Sequence, residues 1–73
     1  MICYMLVWTG GYEDNQYSEL KTDESNALLE ASVWVEEAGE GEQVDVLEIN
    51  TDTLSVSHVK SYWKDELGDV IIS

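Results

Sequence analysis

The chain contains no proline, no phenylalanine and no arginine, one cysteine, one histidine and three lysines among 73 residues. Each shortage excludes something. Without proline, no rigid linker or polyproline segment is signalled. One cysteine, Cys3, permits no intrachain disulfide; its place in an apolar run points to a buried thiol and, with it, a reducing compartment. No cationic neighbour lowers the thiol pKa, so Cys3 does not read as a reactive nucleophile. Three lysines and no arginine leave almost nothing to displace counterions from a phosphate backbone, so direct nucleic-acid binding is excluded. An anionic membrane surface repels the chain for the same reason. No apolar run reaches the roughly 18 residues of a membrane span. Met1–Trp8 lacks the basic flank and small-residue cleavage site of a signal peptide, and reads as a strand in a cytoplasmic protein.

What is present in excess is negative charge. Sixteen Asp and Glu give a net charge of −13. Hydrophobic residues at 44%, with Trp8, Trp34 and Trp63, still supply enough apolar area for a core, so a folded domain is favoured over disorder. The length fits one domain, residues 1–73, with a thin core.

Along the chain, Ile2–Trp8 is apolar at both parities, the pattern of a central strand with both faces at least partly covered. Gly10-Gly11 ends it. Tyr12–Tyr17 is polar and loop-like, and Tyr17–Lys21 forms a short second strand pairing back on the first. A helix is expected from about Asp23 to Ala38. Thr22 or Asp23 can cap it, and Gly39 follows as its natural stop. Ala27, Leu28, Ala31, Trp34, Val35 and Ala38 form the buried stripe. Glu30, Glu36 and Glu37 lie on the opposite face, with Leu29 and Val33 at its border. Gly39–Glu42 is a turn, Gln43–Asn50 a strand of mixed parity, and Asn50-Thr51-Asp52 a turn leading to a strand over Thr53–Ser57 with Leu54 and Val56 inward. Val59, Tyr62, Trp63 and Leu67 fit a short helix ended by Gly68. Val70–Ile72 reads either as a last strand or as an apolar tail. The expected fold is α+β: an antiparallel sheet of three to four strands, ordered hairpin, helix, hairpin, with one amphipathic helix on one face and a short C-terminal helix.

No catalytic signature is present. His58 has no Cys, Ser or Asp at a known catalytic spacing, and the serines lack a nucleophile-elbow context. Glu36-Glu37-Ala38-Gly39-Glu40-Gly41-Glu42 has carboxylates and glycines but not the order of a calcium loop. A non-enzymatic protein with no cofactor and no metal is expected.

The charge pattern carries the functional reading. Between Thr22 and His58 stand ten acids and no lysine: Asp23, Glu24, Glu30, Glu36, Glu37, Glu40, Glu42, Asp45, Glu48 and Asp52. An 8 kDa globule exposes roughly 4,500 Å², so the net charge averages about one per 350 Å², against about one per 100 Å² on B-DNA. Mimicry of DNA therefore requires the acids to cluster. In compact size, acidity and aromatics set among carboxylates, as in Tyr12-Glu13-Asp14-Asn15-Gln16-Tyr17, the chain resembles the small acidic inhibitors of phages and mobile elements: anti-CRISPR proteins, anti-restriction proteins and inhibitors of uracil-DNA glycosylase. The likeness is one of composition over the whole chain, without a shared motif. It implies an inhibitor that occupies the Lys/Arg-lined groove of a nucleic-acid-binding host protein in the host cytoplasm, carboxylates standing in for phosphates. The partner-contact residues expected are Glu30, Glu36, Glu37, Glu40, Glu42, Asp45, Glu48 and Asp52, with Tyr12, Glu13, Asp14 and Tyr17. The alternative is a small acidic interaction module or adaptor, or a salt-adapted domain, with either a monomer or a homodimer open.

Overall fold

The computed structural model describes residues 1–10 and 15–73. Five strands and one helix follow in the order β1 (Ile2–Thr9), β2 (Gln16–Tyr17), α1 (Glu24–Glu37), β3 (Gln43–Asn50), β4 (Ser55–Lys64) and β5 (Val70–Ile72). The strands form one antiparallel sheet, ordered β2-β1-β3-β4-β5. The α+β class and the single helix on one sheet face match expectation. The strand number and the tail do not.

Polarity along β1 and β3 explains the layering. Tyr4, Leu6 and Trp8 of β1 stand opposite Glu48, Val46 and Val44 of β3, with Tyr62 of β4 next in the row. These residues face α1. Leu6, Val44, Val46 and Tyr62 join Ala27, Ala31, Val35 and Ala38 in the buried core, with Tyr4, Trp8, Leu28, Trp34 and Val59 packed around it. Alanines on the inner stripe of α1 let the helix lie close to the sheet. Trp8 and Trp34 close one side, their ring centroids 6.0 Å apart and the planes inclined by 44°.

Local chemistry sets the helix ends. The Asp23 side chain accepts the Ser25 amide at 2.9 Å, satisfying one of the orphan N–H groups of the first turn. At the other end the Ala38 amide bonds the Val35 carbonyl, and Lys64 Nζ donates to the Glu36 carbonyl at 2.6 Å, a cation on the negative end of the helix dipole. The outward face differs from expectation. Leu29 and Val33 project into solvent, while Glu30 turns inward to Lys21.

Where a C-terminal helix was expected over Val59–Leu67, Val59–Lys64 belong to β4 and Asp65–Leu67 to the turn that follows it. The apparent helical spacing comes from a bulge. Leu47 pairs with His58 but Val46 pairs with Lys60, so Val59 is the extra residue and the alternation of β4 changes parity there. A strand whose period slips by one mimics the i, i+3, i+4 spacing of a helix. Among the described residues α1 is the only helix. Val70–Ile72 is a strand that pairs with β4, raising the sheet to five. The second strand, expected over Tyr17–Lys21, is confined to Gln16–Tyr17, with a single further bridge between Tyr4 and Lys21. Leu54 does not point inward. It sits in the β3–β4 turn at φ 58° and is 86% exposed. Asn50 Oδ1 accepts the Asp52 and Thr53 amides there, so the turn is longer than Asn50-Thr51-Asp52 alone requires. Val56 likewise faces away from the helix layer, 62% exposed.

No described helix is long and apolar enough to cross a membrane. Alkali should unfold this domain in a defined window. Burial pushes the Tyr62 phenol above its ordinary value of 10.0. Desolvation, then the charges of Glu24, Glu48 and Asp23, does the same to Tyr4. The hydrogen bond to Glu30 raises Lys21 above 10.5, against an opposing desolvation. All three hold their protons more tightly when folded. Their contribution is complete below their unfolded values and is lost as pH climbs through the raised folded ones. Urea midpoints are expected to be level between pH 7 and 9 and to fall above about pH 10; a midpoint unchanged to pH 11.5 contradicts this.

Candidate functional site

Antiparallel pairing brings distant stretches to common ends. β1 and β4 finish, and β3 and β5 begin, at the same end of the sheet. The C-terminus of α1 also arrives there, tied down by the Lys64 bond to Glu36. The molecule measures 41 × 24 × 17 Å, and a ten-residue strand is about 33 Å long, so the long dimension follows the strands and this end is one tip.

Seven carboxylates of the described residues gather at that tip: Glu36 and Glu37 from the end of α1, Glu40 and Glu42 from the α1–β3 turn, and Asp65, Glu66 and Asp69 from the β4–β5 turn. Lys64 is the only lysine among them, and its ammonium is engaged by the helix carbonyl. Two of the seven are structural. Glu42 accepts the Trp8 indole N–H at 2.9 Å and the Gly39 amide, which fastens the turn to β1. Gly10 lies against Gly41 at φ 89°, an approach that leaves no room for a Cβ and a conformation that favours glycine. Asp65 Oδ1 accepts the Leu67 and Asp69 amides, both at 2.9 Å. The Gly68 amide reaches the Asp65 carbonyl at 3.0 Å, with Gly68 at φ 84°. This is a type I turn closed by a left-handed glycine. Glu36, Glu37, Glu40, Glu66 and Asp69 are exposed and free of side-chain ion pairs among the described residues. A shallow depression of about 250 Å³, lined by Gly41, Glu42, Gln43, Trp63 and Lys64, indents the tip.

The other expected contact residues do not join it. Glu30 is half-buried against Lys21 Nζ at 2.5 Å. Glu48 lies on the helix side of β3, beside Tyr4 and near Glu24 and Asp23. Asp52 is at the opposite end of the sheet, bound to the N-terminal amine at 2.7 Å. Asp45 and Tyr17 are on the face of the sheet away from the helix. Tyr12, Glu13 and Asp14 lie outside the described residues. The ten acids between Asp23 and Asp52 therefore do not share a surface; four of them do. Asp65, Glu66 and Asp69 complete the cluster, and the reading of the tail as a helix hid them. The signal was in the sequence: Asp65-Glu66-Leu67-Gly68 has Asp at the first and Gly at the fourth position, the pattern of a type I turn.

His58 is also better connected than its spacing suggests. On the face away from the helix, His58 Nε2 lies 2.6 Å from Ser61 Oγ, which donates to Asp45 Oδ1 at 2.6 Å. Gln43 Nε2 donates to the same carboxylate oxygen at 2.7 Å. These are the residue types of a hydrolytic triad in the wrong order. The serine stands between the other two, and its single proton is committed to the carboxylate, so Nε2 must be the donor to Ser61. The imidazole is not placed to take the serine proton, and Ser61 is buried. The cluster satisfies polar groups within the sheet rather than activating a nucleophile. No group of three or more metal-ligating side chains occurs among the described residues.

Fold and tip together define a small acidic α+β protein with one five-stranded antiparallel sheet. The chain matches no family model, no curated protein and no solved structure.

Proposed function

We propose that this chain is an acidic inhibitor that imitates nucleic acid, and that its acidic tip occupies the Lys/Arg-lined groove of a DNA-processing or defence protein, in the manner of anti-CRISPR and anti-restriction inhibitors. The observation that carries this reading is the convergence of seven described carboxylates, from two stretches distant in sequence, against one engaged lysine. Averaged over 4850 Å², the charge is too sparse to pass for DNA. The tip is different. Its 24 × 17 Å cross-section is about 400 Å², or about 800 Å² when domed. A net six charges there amount to about one per 70–130 Å², the density of B-DNA at about one per 100 Å². Exposed carboxylates on short turns can pair bidentately with arginine as phosphates do.

The test is competition. The immobilised chain is incubated with bacterial lysate, and captured protein is challenged with duplex DNA and with a salt gradient. Duplex DNA is expected to release the captured protein, and affinity is expected to fall steeply between 50 and 200 mM salt, as for contacts with about five charges. Capture that resists both DNA and salt would instead favour an adaptor docking through apolar surface.

A further inference from the structure

The face of the sheet away from α1 is covered by no described element, and its chemistry is unlike the rest of the surface. Strand parity puts Cys3, Met5 and Val7 of β1, Tyr17 of β2, Leu47 and Ile49 of β3, Val56 and Trp63 of β4 and Ile71 of β5 on it. All three lysines are elsewhere: Lys60 and Lys64 share the helix-side parity of Tyr62, and Lys21 is bound to Glu30. Asp45 is the one carboxylate among the described strand residues of this face. It accepts Ser61 and Gln43 and lies 3.9 Å from His58 Nε2, so its oxygen keeps its donors when the face is covered.

We infer that this face is the contact surface of a homodimer, two copies packing sheet to sheet with their acidic tips at opposite ends. Charge selects the occupant. A basic partner is drawn to the tip and finds here only Asp45, already engaged by Ser61 and Gln43. Two copies of a chain with net charge −13 repel wherever charged surfaces meet, and among the described strand residues this face brings only Asp45 of each copy to the contact. Area agrees. The 31 strand residues each cover about 16 Å² of sheet, about 500 Å² in projection. With side-chain relief this is roughly 700 Å² per copy, so a pair buries about 1,400 Å², within the range of stable interfaces of about 1,200–2,000 Å². The opposed orientation follows from the tips. It separates them by more than the molecule's 24 Å width, well beyond the screening length of about 8–10 Å, whereas the parallel orientation places them side by side.

Sedimentation velocity on the full chain, from low micromolar to several hundred micromolar, tests this. The mass is expected to rise from 8.2 kDa to twice that value; a monomer throughout overturns the proposal. Leu47→Glu and Val56→Glu are each expected to weaken association by about tenfold or more. Val56 is 62% exposed in the single copy, so its variant keeps the fold, as circular dichroism will verify. Doubled mass that survives both substitutions puts the contact at a strand edge and overturns the face-to-face arrangement. Spin labels on Glu66→Cys, with the buried Cys3 thiol out of reach, are expected to lie farther apart than 24 Å; a shorter separation overturns the opposed orientation.

Discussion

Neutralising the five free carboxylates of the tip together, Glu36→Gln, Glu37→Gln, Glu40→Gln, Glu66→Gln and Asp69→Asn, is expected to weaken binding to a DNA-displaceable target about a thousandfold. None of the five side chains accepts a hydrogen bond from another described residue, so the fold should survive, and surface changes of this kind usually alter stability by about 0.5 kcal/mol or less. Each lost charge contact at a partly screened interface is worth about 1 kcal/mol. Five make about 5 kcal/mol, somewhat over three decades in affinity. The salt dependence is a sharper readout. Removing five neutralised charges should lower the slope of log affinity against log salt by about four. The control is the same chemistry elsewhere: Glu24→Gln, Glu48→Gln and Asp52→Asn remove charge but lie outside the tip. If that control weakens binding as much as the tip variant, net charge and not its arrangement governs the interaction.

Glu42 separates position from role. It stands in the densest acidic run of the sequence and at the tip, yet its side chain is occupied by Trp8 Nε1 and the Gly39 amide. Charge-assisted hydrogen bonds contribute about 1.5–3 kcal/mol each, and deleting the acceptor leaves a half-buried indole N–H without a partner. Glu42→Ala is therefore expected to cost about 2–4 kcal/mol. A 73-residue domain has a total of about 4–11 kcal/mol, so the melting temperature should drop by roughly 10–25 °C. Glu40→Ala, two residues earlier and exposed, should change it by no more than a few degrees. Thermal melts followed by tryptophan fluorescence report this directly, since Trp8 loses its bond. Equal melting temperatures for the two variants would show that Glu42 is a surface charge after all. The contrast also restricts the tip experiment: reversing Glu36, Glu37, Glu40 and Glu42 together would confound a broken turn with a lost contact.

Much of the fold was legible because local rules suffice for it. Asp23 caps a helix whose alanine stripe has the right period, and observed and expected bounds agree within a residue. The apolar run from Ile2 and the strand at Gln43 lie where pattern placed them. The mixed parity of Val44, Val46, Leu47 and Ile49 puts Val44 and Val46 under α1 and Leu47 and Ile49, half-buried, on the other face, while the extra residue belongs to the partner strand β4. Residues 59–64 were misread for the same reason. A bulge is stabilised by pairing with another strand, and no local pattern distinguishes its slipped alternation from a turn of helix. The site was half legible. Glu36, Glu37, Glu40 and Glu42 stand next to one another in sequence, so proximity needs no fold. Asp65, Glu66 and Asp69 reach them only because β4 runs antiparallel to β3 and turns back as β5.

The sequence by itself settled the sign of the field: sixteen acids against three lysines and no arginine leave the chain strongly negative whatever its fold. It also determined the helix and the central strands, since capping, periodicity and apolar alternation act over a few residues. Which carboxylates stand together depended on the fold. Net charge is a sum over the chain, but a field strong enough to imitate a phosphate backbone depends on separation in space. Antiparallel pairing set those separations, drawing residues 36–42 and 65–69 to one tip and leaving Asp52 in the β3–β4 turn at the other end, while Glu30 stays in the middle of α1 beside Lys21.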